Sequence, residues 1–177
     1  MSANQQDQPG RKIGQGMLVA SFALGLGALT LFFDGWLANE ANPNRDPRSY
    51  ETVGGDREVV LERNRQGHYV AGGEVNNVPV TFLLDTGATD VAIPANIAER
   101  ADLQQGTAGR AFTANGAVTV YTTLVDTLRI GNIELQDVRA SITPSMPGDT
   151  ILLGMSALQQ VEFSQRGSEL TLRQLAK

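Results

Sequence analysis

Asp85 stands at the end of an apolar run and is followed by a hydroxyl and a glycine, in Phe82-Leu83-Leu84-Asp85-Thr86-Gly87-Ala88-Thr89-Asp90. Residues 80–84 are apolar enough to be buried, and a carboxylate carried to the end of a buried strand costs several kcal/mol unless it is hydrogen-bonded, paired or protonated. Thr86 offers a hydroxyl and Gly87 an unhindered backbone N–H, so the local chemistry can hold such a group. One reading makes Asp85 half of a catalytic machine. The plain alternative is a strand-to-turn Asp that satisfies its own loop. The stretch occurs once in the chain.

Composition removes much competing chemistry. With 14 basic against 19 acidic residues the net charge is −5, so no basic field draws in a phosphate backbone and nucleic acid is not an expected partner. There is no cysteine, which excludes disulfides, thiol nucleophiles and thiolate metal sites. One histidine, His68, rules out two-histidine zinc motifs, and no metal is expected.

The elements that must position Asp85 follow a polar tail, residues 1–12. Arg11 and Lys12 precede an uncharged apolar segment, 13–33, closed by Asp34 and then Trp36. At about 1.5 Å per residue these span about 30 Å, the thickness of a hydrocarbon core, so a transmembrane anchor is expected. Ala38-Asn39-Glu40 makes a poor cleavage site, so the anchor is expected to stay. By the positive-inside rule Arg11 and Lys12 remain cytoplasmic and the chain after Asp34 lies across the membrane. Residues 34–56 are polar, hold Pro43, Pro47, Gly54 and Gly55, and lack apolar periodicity, which predicts a flexible linker.

Residues 57–177 alternate with period two in short runs, at 58–62, 69–75, 78–84, 118–125, 133–138 and 170–172, which read as strands. Asn76-Asn77, Asn115-Gly116, Gly131-Asn132 and Arg166-Gly167 punctuate them as turns. Short helices are expected at 95–101 and 155–160, so the domain is all-β with one or two short helices. A faint internal echo links residues 78–87 to residues 138–154, where Ile151-Leu152-Leu153-Gly154 repeats the apolar run without the aspartate.

Four stretches together carry a resemblance: Gly67-His68-Tyr69, Phe82 through Thr89, Thr113-Ala114-Asn115-Gly116 and Leu152-Leu153-Gly154-Met155-Ser156. The sequence resembles the retropepsin-like aspartic peptidases, in particular their bacterial membrane-anchored branch, over nearly the whole of 57–177. The resemblance implies a single-lobed acid-protease β-barrel, with Asp85 catalytic and supported by Thr86, Gly87 and Ala88 beside the strand ending in Gly154. Residues 113–122 would form a flap, with Thr113, Ala114, Asn115, Gly116 and Asp90 touching a polypeptide substrate. No cofactor is implied. Two carboxylates sharing a proton are needed, and one short chain has one, so the resemblance implies a homodimer in which Asp85 of each subunit meets at the axis. Residues 170–175 are expected to pair with their counterpart across that axis.

Two positions depart from the viral pattern: Thr89 and Met155 stand where an Asp and an Arg usually form a salt bridge near the cleft. Ala88 lacks the hydroxyl with which two-lobed relatives stabilise an ionised aspartate, which favours a mildly acidic to neutral optimum. The expected place is a bacterial inner membrane, crossed once through residues 13–33, with the domain in the periplasm. The competing expectation is a catalytically silent dimeric module that keeps the fold and binds peptides by strand addition.

Overall fold

The computed structural model describes residues 9–113 and 116–176. The chain forms two compact units, Met1–Asn39 and Glu40–Lys177. The first is carried by one helix, α1 (Pro9–Ala41). Pro9 sits where a missing N–H leaves no bond unmade, and Pro43, just past the end, cannot continue the ladder. Gly14–Leu37 within it has a mean hydropathy of 2.0 over 24 residues, long and apolar enough to cross a bilayer. Leu18, Phe22, Leu24 and Leu31 are exposed, an apolar surface that lipid would cover. The helix runs on past Asp34, where the apolar stretch was expected to stop, because one carboxylate ends the hydropathy without breaking the ladder.

The second unit is built on β1 (Arg48–Glu51), β2 (Arg57–Glu62), β3 (Val70–Val75), β4 (Val78–Leu84), β5 (Val91–Pro94), β6 (Ala108–Thr113), β7 (Gly116–Ile130), β8 (Ile133–Thr143), β9 (Thr150–Leu153), β10 (Glu162–Arg166) and β11 (Glu169–Gln174), with short helices α2 (Ala95–Arg100) and α3 (Met155–Leu158). A seven-stranded sheet runs β3-β4-β9-β5-β8-β7-β6, and β3 also pairs with β7, which closes it into a barrel. Gly73 permits the closure, since a Cβ there would lie 2.2 Å from the Arg129 carbonyl oxygen. A second sheet has the order β1-β2-β11-β10. Phe82, Ile93, Ile142, Ile151 and Leu153 from the first sheet and Val59, Leu61 and Leu172 from the second are buried in one cluster.

Period-two burial explains most of these strands and one surprise. In β8 the buried apolar positions are Ile133 and Leu135, then Val138, Ala140 and Ile142. The phase changes at Asp137, whose φ is +53°. The strand expected at 133–138 therefore stops just past the phase change, whereas β8 continues through the second alternating run to Thr143.

Two expectations are corrected here. The linker at 34–56 is largely structured: α1 extends to Ala41, and β1 pairs antiparallel with β2 from Arg48↔Val60 to Glu51↔Arg57. Buried Asn44 ties the approach to β1 down, donating to the carbonyls of Glu62 (2.9 Å) and Val70 (2.7 Å) and accepting from Glu62 N (2.6 Å). Composition hid this because a polar segment orders when its own polar groups make the backbone's hydrogen bonds, and edge strand β1 buries no side chain that periodicity would reveal. The second correction concerns residues 170–175. β11 lies between β2 and β10, so its two edges are used within one chain and cannot pair with a counterpart.

Asp56 links the start of β2 to the end of β11. It accepts the Ala176 N–H (2.9 Å) and the Arg173 guanidinium, which together hold its carboxyl below the usual carboxylate range. A depressed folded value means stabilisation that is complete at neutral pH and lost as pH falls through that value, below about pH 4. Asp56→Asn should lower the melting temperature at pH 7, and its deficit against the parent should shrink in thermal scans at successively lower pH.

Candidate active site

β4 and β9 run parallel, Thr81↔Thr150 through Leu84↔Leu153, and the Asp85 N–H donates to the Leu153 carbonyl (3.1 Å). On its other flank β9 meets β5 antiparallel at Ala92↔Leu152. The chain therefore leaves β4, crosses the end of β9 and returns as β5, and residues 85–90 are the crossing. β9 ends at Leu153, and Gly154, the next residue, lies against this turn.

Asp85 is half-buried. Its Oδ1 accepts the Gly87 N–H (2.9 Å) and its carbonyl accepts the Ala88 N–H (3.2 Å). The other carboxylate oxygen receives no hydrogen bond among the described residues. A Cβ at Gly87 would lie 3.1 Å from Oδ1, so glycine keeps the carboxylate uncrowded. Thr86 is exposed at the turn.

The turn is clamped from α3. Met155 N donates to the Ala88 carbonyl (2.8 Å) and Ser156 N to that of Thr89 (2.9 Å). The buried Ser156 hydroxyl donates to the Arg139 carbonyl (2.7 Å) and accepts the Val91 N–H (3.0 Å). Ser156→Ala would leave that N–H buried without a partner, at a cost of about 1–3 kcal/mol. Denaturant unfolding should show the loss as a lower midpoint with an unchanged m value.

Asp90 accepts from the Arg139 guanidinium on Oδ1, at 3.2 Å from Nε and 3.1 Å from Nη2. An Asp–Arg pair therefore stands at this turn, made by different residues from the Asp and Arg that Thr89 and Met155 replace. Sequence reasoning missed Arg139 and the role of Ser156. Ser156 belongs to one of the four stretches that carry the family resemblance, but nothing in Arg139's own surroundings in β8 signals a partner 49 positions away.

Thr113 and Gly116 face each other at the end of the β6–β7 hairpin, where the Thr113 hydroxyl donates to the Gly116 carbonyl (2.9 Å) and Gly116 has φ +111°. Ala114 and Asn115 lie outside the described residues. His68 is exposed. Asp149 accepts from the Asn96 amide. Among the described residues no group of three His, Asp or Glu side chains is placed to hold a metal ion. A cavity of about 800 Å³ lies between β8, β11 and the segment after α3, lined by Glu134, Gln160, Arg173 and others, and does not reach Asp85.

A closed barrel whose aspartate ends one of two parallel strands and begins a turn across the end of the other, with a glycine-led helix hydrogen-bonded to that turn, is the architecture of a single-lobed acid protease. Residues 71–160, half of the chain, match the family described as "gag-polyprotein putative aspartyl protease". The chain belongs to the retropepsin-like aspartic peptidase family. It is 32% identical over 123 residues to an uncharacterized protein in the cobV 5' region of a Sinorhizobium species, covering 67% of this chain and 53% of that protein. An uncharacterized protein of Rickettsia prowazekii (strain Madrid E) is 31% identical over 106 residues, 58% of this chain and 45% of its own length. The chain thus spans about half the length of these curated relatives. The crystal structure of a retropepsin-like aspartic protease from Rickettsia conorii superposes with a TM-score of 0.56 at 24% identity, covering 74% of this chain and 97% of that one, a likeness of fold.

Proposed function

We propose that this protein is a membrane-anchored aspartic endopeptidase. It hydrolyses peptide bonds of exported or membrane-tethered polypeptides, with Asp85 from each of two subunits forming one site. The observation that carries this reading is the carboxylate of Asp85, with one oxygen held by Gly87 N–H at the β4–β9 crossing and the other open, in a chain of the peptidase family.

Like charges this close cannot both ionise, so the pair shares one proton. The ionised carboxylate takes a proton from a water molecule, whose oxygen attacks the scissile carbonyl carbon, while the protonated carboxyl donates to the carbonyl oxygen. The tetrahedral intermediate then collapses: the carbonyl reforms, the C–N bond breaks and the leaving nitrogen accepts a proton from the dyad. Thr113, Ala114, Asn115 and Gly116 are assigned to the flap that covers the peptide, and Asp90, oriented by Arg139, to a contact with the substrate backbone. α1 holds the domain at the inner membrane, with Arg11 and Lys12 on the cytoplasmic side and residues 40–177 in the periplasm.

The test is incubation of the full chain in lipid nanodiscs with a peptide library, with and without a statine-type transition-state analogue. Cleavage blocked by the analogue supports the proposal. Peptides retained but never cut would instead establish the binding module.

A further inference from the structure

His68, the single histidine of the chain, lies in a stretch that the chemistry assigned to Asp85 does not use. Its turn is built without the imidazole. The buried Asn64 side chain accepts the N–H groups of Gln66 (3.0 Å) and His68 (2.9 Å), and the Asn64 N–H donates to the His68 carbonyl (2.8 Å). Gly67 takes the positive φ, +87°, that the turn requires. The His68 side chain is exposed and makes no hydrogen bond or ion pair among the described residues.

The pairing of β3 with β4 fixes where that side chain stands. The register Val70↔Leu83 is carried one step further by the Tyr69 carbonyl, which accepts the Leu84 N–H (3.0 Å), and the next step sets His68 opposite Asp85. Because Tyr69 and Leu84 are hydrogen-bonded, the pair beside them is of the kind in which opposed side chains stand closer. Side chains alternate across a strand, so His68 and Asp85 share the face of Val70 and Leu83, both half-buried, whereas Ala71 and Phe82 are fully buried on the other. The Asp85 turn is thus flanked by Arg139 from β8 and by His68 from the start of β3. Arg139 is taken by Asp90 (3.1 Å). Residues 63–73 contain no acidic side chain, and their two arginines are engaged, Arg65 by Glu40 (2.9 Å) and Arg63 by the Gly167 carbonyl (3.1 Å) and the Tyr69 ring. The uncommitted donor beside Asp85 is His68.

We propose that His68 is a substrate-binding residue whose imidazole N–H donates to an acidic side chain of the polypeptide, so that cleavage favours an Asp or Glu close to the scissile bond. The inference rests on the peptidase reading above and names a substrate class for it. An imidazole keeps at least one N–H in either charge state, and a carboxylate acceptor makes the bond charge-assisted. Two subunits related by a two-fold axis present His68 twice, so the preference falls on both sides of the scissile bond, at equal distances from it.

The test uses the full chain in nanodiscs and a cleaved library peptide in which one Glu is moved along the sequence, each peptide being paired with a Gln twin. With Glu at one position on either side of the cut, KM should be about three- to tenfold lower than for the twin. His68→Ala should abolish that difference, and His68→Arg should keep it. A KM raised equally for both twins by His68→Ala would mean that only the turn was disturbed, and a preference that survives His68→Ala would place its source elsewhere; either result overturns the proposal. Binding of the same labelled pairs is read beside cleavage by fluorescence anisotropy. Cleavage without a Glu preference overturns this inference and leaves the peptidase standing. A Glu preference in binding that is lost in His68→Ala, with no peptide cut, supports the subsite and removes the peptidase, whereas a parent that neither binds nor cuts overturns both.

Discussion

Asp85→Asn is expected to reduce peptide cleavage by at least ~10²–10⁴-fold, because an amide neither accepts water's proton nor shares one with its counterpart. The fold should survive the change. The Asn side-chain carbonyl still accepts the Gly87 N–H that Oδ1 holds at 2.9 Å, so melting temperature and dimer content should match the parent. A shared site has a further signature. If two subunits contribute one aspartate each, mixing parent and variant in equal amounts with free exchange leaves both carboxylates in only about one quarter of the dimers. Activity should fall to that fraction of the unmixed parent. A fall to one half would place a complete site in each chain, and a variant as active as the parent would remove Asp85 from the chemistry.

Gly154→Ala is expected to have the largest effect on stability. The added Cβ would lie 2.4 Å from the Asp90 carbonyl oxygen, 2.7 Å from its carbon and 2.8 Å from the Ala88 carbonyl oxygen. All three are backbone atoms of the crossing turn, so no flexible side chain can move aside. Overpacking of this kind costs about 1–3 kcal/mol and sometimes more. The turn must shift to admit the methyl, and Asp85 shifts with it, so cleavage should fall in the molecules that remain folded. Gly54→Ala is the matched control, since its nearest neighbour is the Thr52 hydroxyl at 3.8 Å. Thermal melting and cleavage of the two variants side by side check the expectation. Equal melting temperatures would mean that the turn yields freely to the methyl.

Much of the fold was legible in the sequence. β4 was delimited at 78–84 by alternation and flanking turns, and the start of α2 by Pro94. The apolar helix was legible from hydropathy alone. β1 and β10 were not, because both are edge strands with every side chain exposed, and exposure leaves no apolar period to read. β5 was missed for a different reason. Its four residues are too short to show a period, and they are held by strands distant in sequence, β8 and β9.

The sequence by itself determined where a carboxylate follows an apolar run, the glycine two positions on, and the family. Apolar run, carboxylate and glycine are local features, and local features survive in one dimension. Only the tertiary structure decided what stands around Asp85. The clamp of Ser156 on the turn, the Asp90–Arg139 pair and the exclusion of any side chain at 154 come from a crossing that brings together residues some 50 to 70 positions apart. It also decided that β11 is enclosed and that β10 has one edge without a partner among the described residues, because strand pairing is settled by which backbone edges remain after the core has formed.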